Sequence, residues 1–266
     1  MNLILLVELL GNHKYFAGDK PLIIPHRGGA KVVPENTLEG LNFINDHKFS
    51  HFETDLRMSK DGEIFLHHDE TFDRTTNVTG KVNEFNWEEI LKINAGYKFY
   101  QAKNQPEKST QFVRLEDALQ NFPNLKFNLD LKQAGIAEKV FKILKNTNSQ
   151  NRVLVSSFSP KRLDEFRYIS KGEVLTSGSF RENFLARYTR IKKRDFGISA
   201  LQAPYIWRGI KVYSKKLVEF CKLNNLHLHV WAVNTLEVFG DVLKSGCDGV
   251  ITDEPLVFRD YLENSK

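Results

Sequence analysis

His51-Phe52-Glu53-Thr54-Asp55-Leu56 alternates polar and apolar side chains, and that alternation decides the fold. Strand residues point to opposite faces with a period of two, so Glu53 and Asp55 share one face while Phe52, Thr54 and Leu56 share the other. The apolar face belongs under helices, which turns both carboxylates toward the mouth of whatever the strands enclose. The same reading applies to Lys126–Leu131, where Asn128, Asp130 and the following Lys132 oppose Phe127, Leu129 and Leu131. It applies again to His227, His229 and Trp231, which oppose Leu228, Val230 and Ala232.

Outward from these stretches, short apolar strands alternate with amphipathic helices. Leu22-Ile23-Ile24 forms a strand that ends at His26. Asn36 reads as an N-cap with Glu39 at N3, opening a helix that carries Leu38, Leu41 and Ile44. Glu63–His68 reads as another strand after an Asp61-Gly62 turn. Further strands are expected at Arg152–Ser156, Glu173–Thr176, Ser199–Gln202, His227–Val233 and Gly249–Thr252, with helical patterns between most of them. One helix carries Leu217, Phe220 and Cys221; another carries Leu236, Phe239, Val242 and Leu243 and stops at Gly246. Repeated strand–helix units demand parallel strands with helices outside. About eight such units in a chain of this length favour a (β/α)8 TIM barrel, which typically needs about 250 residues. No glycine-rich dinucleotide or phosphate loop argues for an open sheet. Between about Thr71 and Gln111 the periodicity weakens, marking a small loop-rich insertion after the second strand region, with a short helix near Asn86–Ile93. The expectation is one α/β domain spanning residues 1–266.

The composition is that of an ordinary globular protein: 266 residues, 41% hydrophobic and 27% charged. A formal net charge of +5 suits an anionic substrate. The basic residues are scattered, and the run Ile191-Lys192-Lys193-Arg194 reads as a solvated helix end, so no nucleic-acid partner is expected. Cys221 and Cys247 form no disulfide framework and read as buried thiols in a reducing compartment. Leu3-Ile4-Leu5-Leu6-Val7 lacks a preceding basic residue and a cleavage site, and is too short to span a bilayer. It reads as a short helix packed on the domain. A cytoplasmic protein without stable membrane insertion is expected, and its oligomeric state stays open.

The polar residues converge on one chemistry. Glu53, Asp55 and Asp130 in one small volume repel unless some are protonated or a cation neutralises them. All-oxygen donors are hard ligands, so Mg²⁺ or Ca²⁺ is expected rather than zinc. The alternative is that Glu53 and Asp55 are ion-pair partners of Arg57, Lys132 or Arg27 inside the barrel. Two histidines with pKa values near neutrality can divide acid and base roles. His26 and His68 stand out because each ends an expected strand beside a charged residue. His67 falls on the opposite face and reads as structural; His227 and His229 are weaker candidates for the mouth; His13, His47 and His51 have no comparable context.

Together, His26-Arg27-Gly28, Pro34-Glu35-Asn36-Thr37, Glu53-x-Asp55, Asp61-Gly62, His68-Asp69 and Asp73-Arg74-Thr75-Thr76 resemble the signature of the glycerophosphodiester phosphodiesterase family. The similarity continues through Asp130-x-Lys132, Ser157-Phe158, Val230-Trp231-Ala232-Val233-Asn234 and Gly246-Cys247-Asp248-Gly249-Val250-Ile251-Thr252-Asp253, and so runs from Leu22 to Pro255. The resemblance implies a TIM barrel with an inserted segment. It implies hydrolysis of substrates such as glycerophosphocholine and glycerophosphoethanolamine to glycerol 3-phosphate and an alcohol, with Mg²⁺ or Ca²⁺. By motif, His26 and His68 would be the acid–base pair, and Arg27 would hold the phosphate beside Lys132. Glu53, Asp55 and Asp130 would bind the metal, and Phe158 and Trp231 would wall the glycerol pocket. Where Asp130 stands the family usually has Glu. Rival expectations are a lysophospholipase D-type enzyme, with an apolar channel built from the insertion's Phe72, Phe85, Trp87, Tyr97, Phe99 and Tyr100, and a non-catalytic barrel that binds a phosphate metabolite.

Overall fold

The structure, a computed structural model, describes residues 13–188 and 197–264. The apolar stretch at 3–7 and the basic run at 191–194 lie outside the described residues.

Eight parallel strands make the barrel wall: β1 (Leu22–Pro25), β2 (His51–Met58), β4 (Lys126–Leu131), β5 (Val153–Ser156), β6 (Leu175–Thr176), β7 (Ala200–Pro204), β10 (His227–Trp231) and β11 (Gly249–Thr252). Continuous ladders join β2, β4, β5 and β6 on one side, and β7, β10, β11 and β1 on the other. Single parallel bridges link the two halves, His26 to Glu53 at one seam and Ser177 to Ala200 at the other. The strand Ile64–Leu66 (β3) is a departure from the repeated unit. It pairs antiparallel with β2 and stands outside the ring, because only the Asp61-Gly62 turn separates the two and a parallel return needs a long crossover.

The helices are α1 (Leu38–Asp46), α4 (Leu115–Asn121), α5 (Ala137–Asn146), α6 (Pro160–Ser170), α7 (Phe180–Tyr188), α8 (Lys215–Leu223), α9 (Leu236–Ser245) and α10 (Pro255–Asn264), with α2 (Trp87–Ile90) and α3 (Tyr97–Ala102) inside the insertion; the sequence pattern predicts neither α3 nor α10. The outward strand residues Phe52, Leu56, Phe127, Leu129 and Leu131 are fully buried against Leu41, Ile44, Leu119, Val140 and Leu144. Each such side chain contributes roughly 1.5–3 kcal/mol of burial. Leu201, Leu228, Val230 and Val250 do the same against Leu217, Phe239 and Phe258. Gly246 ends α9 in the left-handed region at φ 82°, as expected for a C-cap.

The first cap is one residue later than expected. Thr37, not Asn36, caps α1, its hydroxyl accepting the Gly40 N–H at 3.2 Å. Glu39 therefore sits one position earlier in the helix than the capping box requires, and it accepts a hydrogen bond from the Tyr100 hydroxyl.

A 3₁₀ turn at Lys14–Phe16 fills the end of the barrel where the strands begin. Phe16 stacks on His227 with ring centroids 3.7 Å apart, and Tyr15 meets His51 edge-on at 5.0 Å. His227 thus lies at the opposite end from the mouth, and His229 is wholly buried in the interior. Neither lines the cavity at the mouth. Phe65, Phe72, Val82, Trp87, Ile90 and Phe112 form a separate small core under the insertion. Both cysteines are free and buried; burial pushes the Cys247 thiol up to about 12 and raises Cys221 as well, so neither is a ready thiolate. Among the described residues, no helix is long and apolar enough to cross a membrane.

Candidate active site

The strands end together around a cavity of about 800 Å³, whose wall includes His26, Arg27, Glu53, Asp55, His68, Asp130, Lys132, Phe158 and Trp231. All nine candidate residues therefore meet in one place. Register explains the carboxylates. Asp55 lies directly across from Asp130 on the neighbouring strand, and Glu53 across from Asn128, so all four project into the ring. Glu53, Asp55 and Asp130 are each less than a tenth exposed.

His26 leaves β1 through a tight turn. Its backbone N–H continues the ladder to Thr252 O at 2.7 Å. Arg27, Gly28 and Gly29 all have positive φ. A Cβ at Gly28 would meet Phe52 at 3.0 Å and the Gly40 backbone at 3.2 Å, so this turn needs glycine there on both counts. Because β1 runs beside β11, Asp253 arrives next to the imidazole, and His26 donates from Nδ1 to Asp253 Oδ1 at 2.7 Å. Asn234 holds Asp253 in turn, donating from Nδ2 to Oδ2 at 2.6 Å and accepting the Asp253 N–H at 2.9 Å. This arrangement leaves Nε2 of His26 on the side of Glu53, 3.8 Å from Oε2.

His68 is held in the same manner, donating from Nδ1 to Asp69 Oδ1 at 2.7 Å. Arg57 donates two hydrogen bonds to its carbonyl. From Asp69 an ion-pair chain crosses the mouth. Arg74 donates to Asp69 at 2.6 Å and makes a two-point contact with Glu35 at 2.7 Å, and Glu35 accepts from Arg27 at 3.0 Å. The phosphate-binding candidate and one candidate acid–base group are thus joined by a single chain of ion pairs. His67 points the other way, donating to Thr71 O at 3.0 Å among Phe65, Phe72 and Phe112, as its opposite face required.

Burial lowers the pKa of His26, but Glu53 and the hydrogen bond to Asp253 outweigh it, and the net shift is upward. For His68 burial is the larger effect, aided by Arg27 and Lys132, and the net shift is downward. Burial and the Asp55 charge lift Glu53 well above the usual carboxylate range. Burial would raise Asp55 too, but Lys132 and Arg27 hold it below that range.

The cations nearest the carboxylates are protein side chains. Lys132 lies 3.0 Å from Asp55 Oδ1 and 2.6 Å from Asp130 Oδ2, and Arg27 Nε lies 3.3 Å from Asp55 Oδ2. This is the ion-pair alternative realised for Arg27 and Lys132, though not for Arg57. Among the described residues, no cluster of His, Cys, Asp or Glu side chains is already shaped around a metal. The donor chemistry nonetheless fits a hard cation. Asp130 Oδ1 is buried without a hydrogen-bond partner, on the same inward face as Asp55 and Glu53, so a carboxylate oxygen is left over to take a cation.

Sequence reasoning passed over several residues of this site. Asn36 donates to Asp55 Oδ2 at 3.0 Å and accepts from Thr54 at 2.7 Å. Glu35, Asp69, Arg74, Asn234 and Asp253 had no assigned role, although each belongs to a quoted motif. Of the six aromatic residues expected to build a channel from the insertion, Phe72, Phe85 and Trp87 pack into its own small core with Phe65, and none of the six lines the cavity at the strand ends.

A TIM barrel with two carboxylate-held histidines and an arginine at its mouth is equipped for acid–base hydrolysis of an anionic ester. The profile of the Glycerophosphoryl diester phosphodiesterase family matches residues 26–257, and the chain belongs to that family. A glycerophosphodiester phosphodiesterase of Caldanaerobacter subterraneus is 33% identical over 244 residues, covering 89% of this chain and 95% of the relative. A phosphodiesterase of Oleispira antarctica, solved with the product sn-glycerol 3-phosphate, superposes with a TM-score of 0.74 at 21% identity over 91% of this chain and 97% of its own. A glycerophosphoryl diester phosphodiesterase domain from Mycobacterium tuberculosis gives 0.75 at 19% identity over 91% and 99%. These two structures establish the shared fold; the sequence relatives establish an enzyme of the phosphodiesterase class.

Proposed function

We propose that the chain hydrolyses glycerophosphodiesters such as glycerophosphocholine and glycerophosphoethanolamine to sn-glycerol 3-phosphate and the free alcohol. His26 and His68 are the acid–base pair. The observation that carries this reading is the pair of carboxylate–imidazole hydrogen bonds, both 2.7 Å, on the Nδ1 atoms of two histidines that line one cavity. With Nδ1 occupied, each ring has only Nε2 for proton transfer.

Arg27 and Lys132 bring fixed positive charge to the phosphate, and Phe158 with Trp231 forms the wall for the glycerol. Attack on phosphorus, by the glycerol 2-hydroxyl or by water, needs one imidazole to take a proton and the other to supply one to the departing alkoxide. Glu53, Asp55 and Asp130 would hold one divalent cation, Mg²⁺ or Ca²⁺, which would supply Lewis-acid stabilisation of charge on the phosphate and lower the pKa of a hydroxyl. Lys132, 3.0 Å from Asp55 and 2.6 Å from Asp130, would remain as a second positive charge on those carboxylates. The enzyme needs no nucleic-acid partner.

A substrate panel read by release of glycerol 3-phosphate, run with Mg²⁺, Ca²⁺ and Mn²⁺ in turn, tests this. Metal-dependent turnover of glycerophosphodiesters is expected. Cleavage of bis-(p-nitrophenyl) phosphate with none of any glycerophosphodiester would overturn the substrate assignment.

A further inference from the structure

Positive charge on the cavity wall is unevenly matched. Arg27 and Lys132 are paired with Glu35, Asp55 and Asp130. Arg57 and Arg162 line the same cavity, yet among the described residues neither forms an ion pair with a carboxylate. The Arg57 side chain donates only to the His68 carbonyl, at 3.0 Å from Nε and 2.9 Å from Nη2. The Arg162 side chain donates only to the Leu131 carbonyl, at 2.6 Å from Nη1.

A guanidinium carries five N–H donors, so both groups keep unused ones. An arginine that serves the fold alone looks different in this chain. Arg152 makes four hydrogen bonds, to the carbonyls of Leu119, Phe122 and Leu125 and the hydroxyl of Ser149, and is 5% exposed. Its donors are nearly used up. Arg57 and Arg162 are only half-buried and keep spare donors beside a cavity.

The fold brings the two together. Arg57 follows Glu53 and Asp55 on the inward face of β2, and at two residues past Asp55 it stands about 6–7 Å farther toward the mouth. Arg162 comes from the first turn of α6. Leu131, which accepts from Arg162, lies directly across from Leu56, the residue before Arg57. Burial lowers the pKa of Arg57; the charge of Glu70 opposes that, and the charge of Arg162 adds to it. Glu70 is mostly exposed and lies 3.5 Å from Lys81. Two neighbouring cations without a carboxylate of their own make a place that favours an anion.

The opposite part of the rim carries no such charge. There the hairpin of β8 (Ile206–Trp207) and β9 (Ile210–Lys211) sets Trp207 across from Ile210, and both line the cavity with Phe180 and Phe184. The phosphate undergoing attack belongs at Arg27 and the two imidazoles, so the outer arginines are left for a second group on the same substrate. The planar fork of arginine matches a carboxylate in two-point contact. An ammonium group at that place would meet like charge.

We propose that Arg57 and Arg162 are specificity-determining residues that bind a carboxylate on the alcohol half of the substrate, so that the enzyme favours acidic glycerophosphodiesters over those whose alcohol carries only an amine. This rests on the phosphodiesterase reading of the same cavity and narrows it.

The test compares glycerophosphoserine with glycerophosphoethanolamine, which differ by one carboxylate, read by release of glycerol 3-phosphate. The serine diester should show a kcat/KM higher by about tenfold or more, the range for a hydrogen bond between charged groups. Arg162→Gln leaves both hydrogen bonds from Arg57 to the His68 carbonyl in place, and should bring the ratio of the two kcat/KM values close to one. Arg162→Glu should invert the ratio, an outcome that a misfolded variant would not produce. Equal kcat/KM for the two diesters in the wild type, or a preference for the ethanolamine diester, would overturn the subsite. So would an equal loss on both diesters in Arg162→Gln, which would assign the pair to the reacting phosphate or to general steering of anions. Release of glycerol 3-phosphate from neither diester would instead end the phosphodiesterase reading, and the subsite with it.

Discussion

Asp253 holds Nδ1 of His26 at 2.7 Å although 227 positions of sequence separate them. The parallel pairing of β1 with β11 closes that distance, and Asn234 locks the carboxylate from its far side. Asp69 holds His68 at the same length with no separation at all. One ring is positioned by the fold and the other by its neighbour, and both present Nε2 to the cavity.

If these carboxylates orient the rings, Asp253→Asn and Asp69→Asn should each lower kcat by about 10–100-fold, the range for carboxylates that support a working histidine. The pH–rate profile should shift with them, which a purely structural role would not produce. Thermal melting should move little for Asp69, at the rim, and more for Asp253. An unshifted profile with normal kcat would remove the orienting role.

Replacing the rings themselves is a stronger perturbation. His26→Ala and His68→Ala should each reduce kcat by at least ~10², the lower bound for general acid–base groups. Far-ultraviolet circular dichroism should stay unchanged, because His26 and His68 both stand at the edge of the cavity rather than in a core cluster. Normal turnover in either variant would exclude that residue from the chemistry.

Chelation addresses the carboxylates. EDTA should abolish activity, and Mg²⁺ or Ca²⁺ should restore it. Asp130→Asn should raise the concentration of ion needed, because the orphaned Oδ1 of Asp130 would become part of a neutral amide. A fully active, metal-stripped sample would contradict the assignment of Glu53, Asp55 and Asp130.

Stability carries its own pH signature. Burial holds both His51 and His229 down to about 3, and the hydrogen bond from His51 to Tyr15 O offsets only part of that. The unfolded chain titrates these groups near 6.5. Between the two values the unfolded state binds more protons, so stability is fully present above about 6.5 and is lost as pH falls toward 3. At pH 5 each histidine costs about 2 kcal/mol. Melting temperature should therefore fall from pH 7 to pH 5, and His51→Gln should reduce the slope. A flat profile would show that the two rings are not held neutral.

Much of this architecture was legible because period-two alternation is strict. Glu53, Asp55, Asn128 and Asp130 face inward as read, and Phe52, Phe127, Leu129 and Leu131 face the helices. What stayed hidden depended on neighbours in space. Asn36 and Thr37 both carry N-cap chemistry, and the choice between them became visible only once Asp55 was found within reach of Asn36. β3 reads as a strand whatever its direction, and the short turn before it was the sole clue to antiparallel pairing. His227 and His229 share a face with Trp231, but their depth along the barrel axis follows from the register with β7 and from the Phe16 plug. The rim at Trp207 and Ile210 has no periodic signal, because a two-residue strand is too short to show one.

The most direct measurement is a crystal structure of the wild-type enzyme with sn-glycerol 3-phosphate and Mg²⁺ or Ca²⁺. The account predicts phosphate oxygens within about 2.6–3.2 Å of Nε2 of both His26 and His68, with Arg27 on the same phosphate. A phosphate seated elsewhere, or touching only one of those imidazoles, would contradict it.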